Sequence, residues 1–325
     1  MTCAMPTLPQ LSIRPTPHGP VLCLNGKWRK EFAQLPGVDK IVGVEVSSFK
    51  DEHEPNLEFL QEFPAIRYFG SLYSFPFDYS YLYRIHTLNS LKFLTLRLSS
   101  LDFRRFPNLE SAAVPWHSAL ASIFDCHQLK ALSLLGCREK TSRRLAQLSS
   151  IEALKLKDCS FGDLDAFPEM ARLRKLQIGL PRLMSLEPLS KCTRIEWLWV
   201  SQCGKIANYD VFGRLGRLRG LMIDTERKTP SLEFVESLSQ MRLFNFSLAV
   251  QDGKLRRLLK CPLLASAHFA DRENYDISRE ELNGILSSTR PPLSCEEDLC
   301  FGSVSHGISD WQVFTGPELT VFKSK

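Results

Sequence analysis

Leu129-Lys-Ala-Leu132-Ser-Leu134-Leu-Gly-Cys137, Ile151-Glu-Ala-Leu154-Lys-Leu156-Lys-Asp-Cys159 and Ile195-Glu-Trp-Leu198-Trp-Val200-Ser-Gln-Cys203 are three copies of one pattern. Two apolar residues, two positions apart, are preceded by a third three places before the first and followed by a cysteine three places after the second. Weaker copies begin at Leu91, Leu109, Leu173, Leu218, Met241 and Leu264, and the spacing of the starts settles at 22 to 23 residues. Another apolar residue stands three places before each start, as at Leu148, Cys192 and Leu215. Repeats of this length are supersecondary units, so they are read before any domain count.

Alternation at period two turns Leu132 and Leu134, or Leu154 and Leu156, to one side of a short strand and the residues between them to the other. One strand cannot hide its own leucines. Stacking the units side by side at about 4.8 Å satisfies the strand hydrogen bonds and buries a continuous ladder, so stability comes from the contacts between repeats. Between strands, Leu164-Asp-Ala-Phe167-Pro168 and Ser185-Leu-Glu-Pro188-Leu189 are too short for a long helix and suit single turns of 3₁₀ helix. The reading is an α/β leucine-rich-repeat solenoid, curved, with parallel strands on its concave face and short 3₁₀ or helical turns on its convex face.

The same phase accounts for most of the ten cysteines. Cys137, Cys159 and Cys203 share one place, and Cys126, Cys192 and Cys261 another; they lie along ridges instead of converging, which suits core thiols and not a zinc site. Leucine supplies 50 of the 325 residues, and the net charge of +5 is far below that of a polycationic nucleic-acid binder. The start of the chain lacks a basic segment followed by an apolar one, and no window approaches about 18 apolar residues. A cytoplasmic protein outside the membrane is expected.

The repeats leave both ends to be covered. Residues 1–20 are expected to be a flexible N-terminus, 21–90 an N-terminal cap with irregular repeats, 91–270 the clean array, 271–290 a C-terminal cap helix and 291–325 a partly disordered tail. Ile41-x-x-Val44-x-Val46 reads as an early strand, and Ser278-Arg-Glu-Glu281 as a capping box flanked by the apolar pair Ile277 and Leu282, predicting a helix over about 279–286.

The 22-residue unit with Pro-Leu in its convex turn resembles bacterial internalin-like leucine-rich-repeat proteins over about residues 21–290. Leu24-Asn-Gly-Lys-Trp28, Phe106-Pro-Asn-Leu-Glu110, Trp116 and Asp271-Arg-Glu-Asn-Tyr275 add to the likeness. Departures are the absence of asparagine at the ninth place and the irregular stretch 66–90. The resemblance implies a scaffold without catalysis or cofactor.

The residues agree with that absence of catalysis. There is no Gly-x-Gly-x-x-Gly, Gly-x-Ser-x-Gly, Walker-type loop or His-Glu-x-x-His, and the seven histidines are scattered through the repeat. Neighbours Cys126 and His127 sit on a turn and are not expected to face each other. Function is sought on the outward strand positions, because a rigid sheet presents side chains at fixed spacing and loses little entropy on binding. There Trp197 and Trp199, two apart on one strand, have Lys155, Lys157 and Lys175 on the two preceding strands and Met222 on the next. Aromatic, basic and methionine side chains together have the composition of an interface hot spot; the plainer alternative is that the indoles cover the sheet locally, or that the carboxyl tail lies across them. Phe93, Arg97 and Trp116 form a second candidate patch. The expected role is a monomeric protein-binding scaffold, in one version a toxin- or effector-binding, immunity-like protein. The alternative is a carbohydrate or nucleic acid stacked on the tryptophans.

Overall fold

The structure is a computed structural model that describes residues 11–294 apart from 17, 35, 49–56, 73–77, 95–100, 207 and 226. These residues divide into two compact units, 11–132 and 133–294.

In the first unit the strands are β1 (Leu11–Arg14), β2 (Val21–Asn25), β3 (Gly43–Ser48), β4 (Tyr68–Ser71), β5 (Ser90–Phe93) and β6 (Ser111–Pro115). From β2 to β6 they pair in parallel and in chain order. β1 runs antiparallel to β2, so the segment 1–20, expected to be flexible, contributes a strand that covers this sheet edge.

Register resolves the irregular stretch. Leu91 pairs with Ala112, and Phe69 with Leu91, so these residues occupy the place held by Leu132 in the clean repeats. The repeat therefore starts at Leu88 and not at Leu91, and the one before it starts at Ile66. Phe93, expected to face outward, is a core residue against Phe69 and Tyr79, while Leu94, expected in the core, is 42% exposed. The error arose because leucine stands at 88, 91, 94 and 96, so two registers fit equally until the pairing is known.

β7 (Ala131–Leu135) holds the division between the units. The second unit continues with β8 (Ala153–Lys157), β9 (Lys175–Gly179), β10 (Trp197–Ser201), β11 (Gly220–Asp224), β12 (Lys228–Thr229), β13 (Leu243–Phe246), β14 (Ala249–Val250) and β15 (Ser266–His268). β8, β9, β10, β11, β13 and β15 pair in parallel in that order, while β12 and β14 form a separate two-stranded ribbon. Single 3₁₀ turns link them, among them Phe167–Glu169, Glu187–Lys191, Asp210–Arg214 and Glu233–Ser237, each with a buried apolar residue facing the ladder. Leu154, Leu156, Leu176, Ile178, Leu198, Val200, Leu221 and Ile223 are fully buried, each contributing on the order of 1.5–3 kcal/mol. Parallel strands joined by 3₁₀ turns around a leucine ladder make this a leucine-rich-repeat solenoid fold. The phased cysteines are free and buried in the same ridges. Cys159 and Cys261 direct their thiols at the carbonyls of Leu134 and Val235, 3.6 and 3.2 Å away.

The last repeat is closed by α1 (Arg279–Thr289), three residues longer than the expected helix. Ser278 Oγ accepts the Glu281 N–H at 3.1 Å, whereas the Glu281 carboxylate turns to Arg256 at 2.6 Å instead of completing the capping box. Ile277 and Leu282 are both buried. Before the helix, Asp271–Tyr275 forms the closing loop. Tyr275 Oη accepts the Val250 N–H and donates to the Leu248 carbonyl, and Asp276 accepts the N–H groups of Leu255 and Arg256. Gly253 lies against this loop with φ of 66°, and a Cβ there would collide with the Asn274 carbonyl. Among the described residues no helix is long and apolar enough to cross a membrane.

Candidate functional site

The outward side chains of the second unit fall into rows across its strands. One row reads Lys155, Gln177, Trp199, Met222, Asn245, His268; the row beside it reads Ala153, Lys175, Trp197, Gly220, Leu243, Ser266. Lys157 begins a third, opposite Gly179. Alternation puts all six predicted residues on the face opposite the leucine ladder, as expected, and the register makes Trp197, Trp199, Lys175 and Met222 immediate neighbours.

Direction and accessibility part company here. Trp197 is only 5% exposed and packs with Met222 and Leu243 in a small apolar cluster of its own, against which Trp199 and Leu293 also pack. Gly220, between Trp197 and Leu243 in the register, supplies no side chain. The indoles are thus outside the leucine core yet not both presented to solvent. Leu293 follows α1 by four residues and 96 residues separate it from Trp197, so no local pattern signals the contact.

Arg242 fixes that segment. Its Nη2 donates to the carbonyls of Pro291 and Pro292 at 3.2 and 2.6 Å, and its Nη1 to the Leu263 carbonyl at 3.1 Å. Arg290 adds a bond from Nη2 to the Leu259 carbonyl at 3.2 Å. Neither arginine was singled out in the sequence, where both look like ordinary surface charges.

Three polar atoms on or beside the cluster stand out. Gln177 Oε1, Trp199 Nε1 and Asn245 Oδ1 are shut off from solvent and have no hydrogen-bond partner among the described residues. A buried polar group without a partner costs about 1–3 kcal/mol, and these three stand in one row of the register, on β9, β10 and β13, with Met222 of β11 between the last two. Lys155 is 8% exposed, and burial, with the charge of Lys157 adding to it, lowers its pKa to about 8. Its ammonium is therefore easily neutralised, and it is a poorer anion anchor than Lys157 or Lys175, which are only partly buried.

The second candidate patch does not assemble. Phe93 is in the core, Trp116 is buried against Phe124 at 5.4 Å, and Arg97 lies outside the described residues. The first unit carries instead a polar cluster that the sequence did not announce. Buried Glu45 accepts from Arg14 at 2.5 Å and Lys92 at 3.3 Å, and Tyr68 Oη donates to it at 3.5 Å. Burial, reinforced by the Glu45 charge, pushes the Tyr68 phenol well above its ordinary pKa.

Ser266 Oγ and His268 Nε2 lie 3.2 Å apart on β15. Burial and the nearby charge of Arg279 lower the pKa of that histidine, the opposite of the carboxylate that steadies an imidazolium in a hydrolytic triad. Burial raises the Cys126 thiol to about 12, which disfavours the thiolate that a nucleophile beside His127 would need. Among the described residues no group of three His, Cys, Asp or Glu side chains is placed to hold a metal ion.

No protein-family model matches the chain, and no curated protein matches it in sequence. Solved structures do resemble it. An internalin (inlF) from Listeria monocytogenes is 17% identical, with 76% of each chain covered and a TM-score of 0.50. Internalin C2 (inlC2) from the same species is 16% identical over 58% of this chain and 74% of its own, with a TM-score of 0.43. Toll, in the Toll–Spatzle complex of Drosophila, is 14% identical over 83% of this chain and 37% of its own, at 0.47. At these identities the likeness is one of fold, and that fold is the internalin-like leucine-rich repeat.

Proposed function

We propose that the chain is a non-catalytic scaffold that captures a partner protein on the outward face of β8, β9, β10, β11 and β13. The observation that carries this reading is the coincidence on one face of Trp199, Met222 and two lysines with the unpartnered, solvent-excluded Gln177 Oε1, Trp199 Nε1 and Asn245 Oδ1. A polypeptide supplies both N–H and C=O groups at close spacing, which is what such atoms need. In this reading Trp199, Lys157 and Lys175 meet the partner directly, Trp197 and Met222 support the indole from behind, and Lys155 stiffens the floor.

Within the same reading, the partner is a toxin or effector that a cytoplasmic, monomeric chain neutralises or positions. A carbohydrate or nucleic acid fits less well. Stacking needs open ring faces, and Trp197 is covered; the Ser266–His268 pair, whose histidine feels the charge of Arg279 among the described residues, gives an enzyme reading little to stand on.

Affinity capture with a tagged chain from the native host is the test. A protein recovered by the wild type and at least tenfold depleted with Trp199→Ala/Lys157→Glu/Lys175→Glu, at an unchanged melting temperature, supports the face. Equal recovery by that variant refutes it. Trp197→Ala is a poor probe, because emptying a buried indole site costs about 3–5 kcal/mol of stability.

A further inference from the structure

Charge is spread unevenly along this chain. Residues 170–220 hold ten Lys and Arg against three Asp and Glu, a surplus of seven where the whole chain carries +5. Much of that surplus stands at one rim, where the chain enters β9, β10 and β11. Leu173, Ile195 and Leu218, two places before those strands, are buried, and each donates its N–H to the carbonyl three residues earlier, at 3.0, 3.1 and 2.8 Å. The residues just before them, Arg172, Arg194 and Arg217, are therefore mounted on three turns of the same build, and all three are exposed. The Glu196 N–H bonds the Arg174 carbonyl and the Arg219 N–H the Glu196 carbonyl, both at 2.8 Å, so the turns are held side by side. Strand spacing then sets the three arginines about 5 Å apart. Among the described residues none of the three makes a hydrogen bond or an ion pair.

We propose that this arginine rim recognises an acidic segment of the captured protein, one whose carboxylates lie about 5–7 Å apart, as at every second residue of a strand or every fourth of a helix. The proposal rests on the scaffold reading above and gives the partner its charge. Arg174 already shows the chemistry on this rim, since its Nε and Nη2 donate to the two oxygens of Glu196, each at 2.9 Å. Such a planar fork matches a carboxylate at two points, which a lysine cannot do. The rim also runs straight into the outward row of Lys175, Trp197 and Gly220, so one partner can set its acidic residues on the arginines and its remaining contacts on the face. A phosphodiester strand laid along the rim would instead meet the like charge of Glu196.

Fluorescence anisotropy of a labelled oligoglutamate peptide with the full chain tests the rim without a native partner. Saturable binding is expected, weakened at least tenfold by Arg172→Glu/Arg194→Glu/Arg217→Glu. The loss should stay below threefold with Arg29→Glu/Lys30→Glu/Lys40→Glu, which makes the same change of charge at exposed positions of the first unit. Glutamine at the three rim positions should weaken binding in the same direction, and it carries the test if charge reversal lowers the melting temperature. Absence of saturable binding, or equal losses in the rim and first-unit variants, overturns the proposal. So does an oligodeoxythymidine of equal charge that binds at least tenfold more tightly than the peptide and is lost with the rim variant, because the rim would then be a phosphate site. The peptide reports on the rim and capture by the Trp199 variant on the face, so either can fail without the other.

Discussion

Gly136, Asp158 and Gln202 occupy the same place in three repeats, immediately before the ninth-position cysteine, and have φ of 71°, 54° and 52°. The chain leaves each strand through a left-handed residue there, and bonds such as Gly136 N–H to the Lys157 carbonyl at 2.8 Å and Ser160 N–H to the Cys137 carbonyl at 2.7 Å tie successive turns together. Left-handed backbone costs an L-residue about 1–2 kcal/mol, and glycine avoids it at an entropic cost of about 0.5–1 kcal/mol in the unfolded chain. Gln202→Gly is therefore expected to raise stability by about 0.5 kcal/mol and Gly136→Ala to lower it by about 1 kcal/mol, read as shifts of the urea midpoint at constant slope. A lower midpoint for Gln202→Gly would show that its side chain contributes more than its backbone costs. None of this was visible in the repeat motif, which marks apolar spacing but is blind to the sign of φ at positions occupied by Gly, Asp and Gln alike.

The elements were legible to the degree that their signals were local. Leu154, Leu156, Leu198 and Val200 declared their strands by alternation, and Ser278 with Ile277 and Leu282 declared the start of the closing helix. Where four leucines stood in a row of possible registers at 88–96, only pairing with Ala112 could choose. The outward set was read correctly in direction, since parity along a strand decides it; a carboxyl tail lying across the indoles was the plainer alternative, but Leu293 as the covering residue was not legible, since that contact joins residues far apart in sequence. How α1 closes the sheet was equally hidden. Asn283 bonds the backbone of edge strand β15 twice, through Nδ2 to the Ala267 carbonyl at 2.7 Å and through Oδ1 from the Ala267 N–H at 3.0 Å, imitating a further strand. Asn283→Leu should cost about 2–3 kcal/mol, because both backbone groups lose their partner beneath the helix. Hydrogen exchange should report it first as faster exchange of Ala267, before any change at Leu198 or Leu221. Equal exchange across all three amides would mean the helix closes the stack by its apolar face alone.

At the scale of the whole molecule the cysteines act together. Burial raises the thiols of Cys126, Cys159 and Cys261 to about 12 and those of Cys137, Cys192 and Cys203 to about 11. Below the unfolded thiol pKa near 9 both states hold these protons, so the native chain keeps its full stability. Above it the unfolded chain ionises while the folded one does not, and the difference pulls the equilibrium toward unfolding until pH reaches the folded values of about 11–12. Melting temperature should then fall steadily from about pH 9, more steeply than in a variant with Cys126, Cys159 and Cys261 replaced by Ala or Val, whose neutral pH stability is lower but flatter in pH. The same burial predicts that all six thiols resist a water-soluble alkylating reagent at pH 8 and react together once denaturant is added. A thiol that reacts in the native chain ahead of the rest would locate the repeat that opens first, and parallel alkaline melting curves for the two proteins would show that the cysteines do not set the limit.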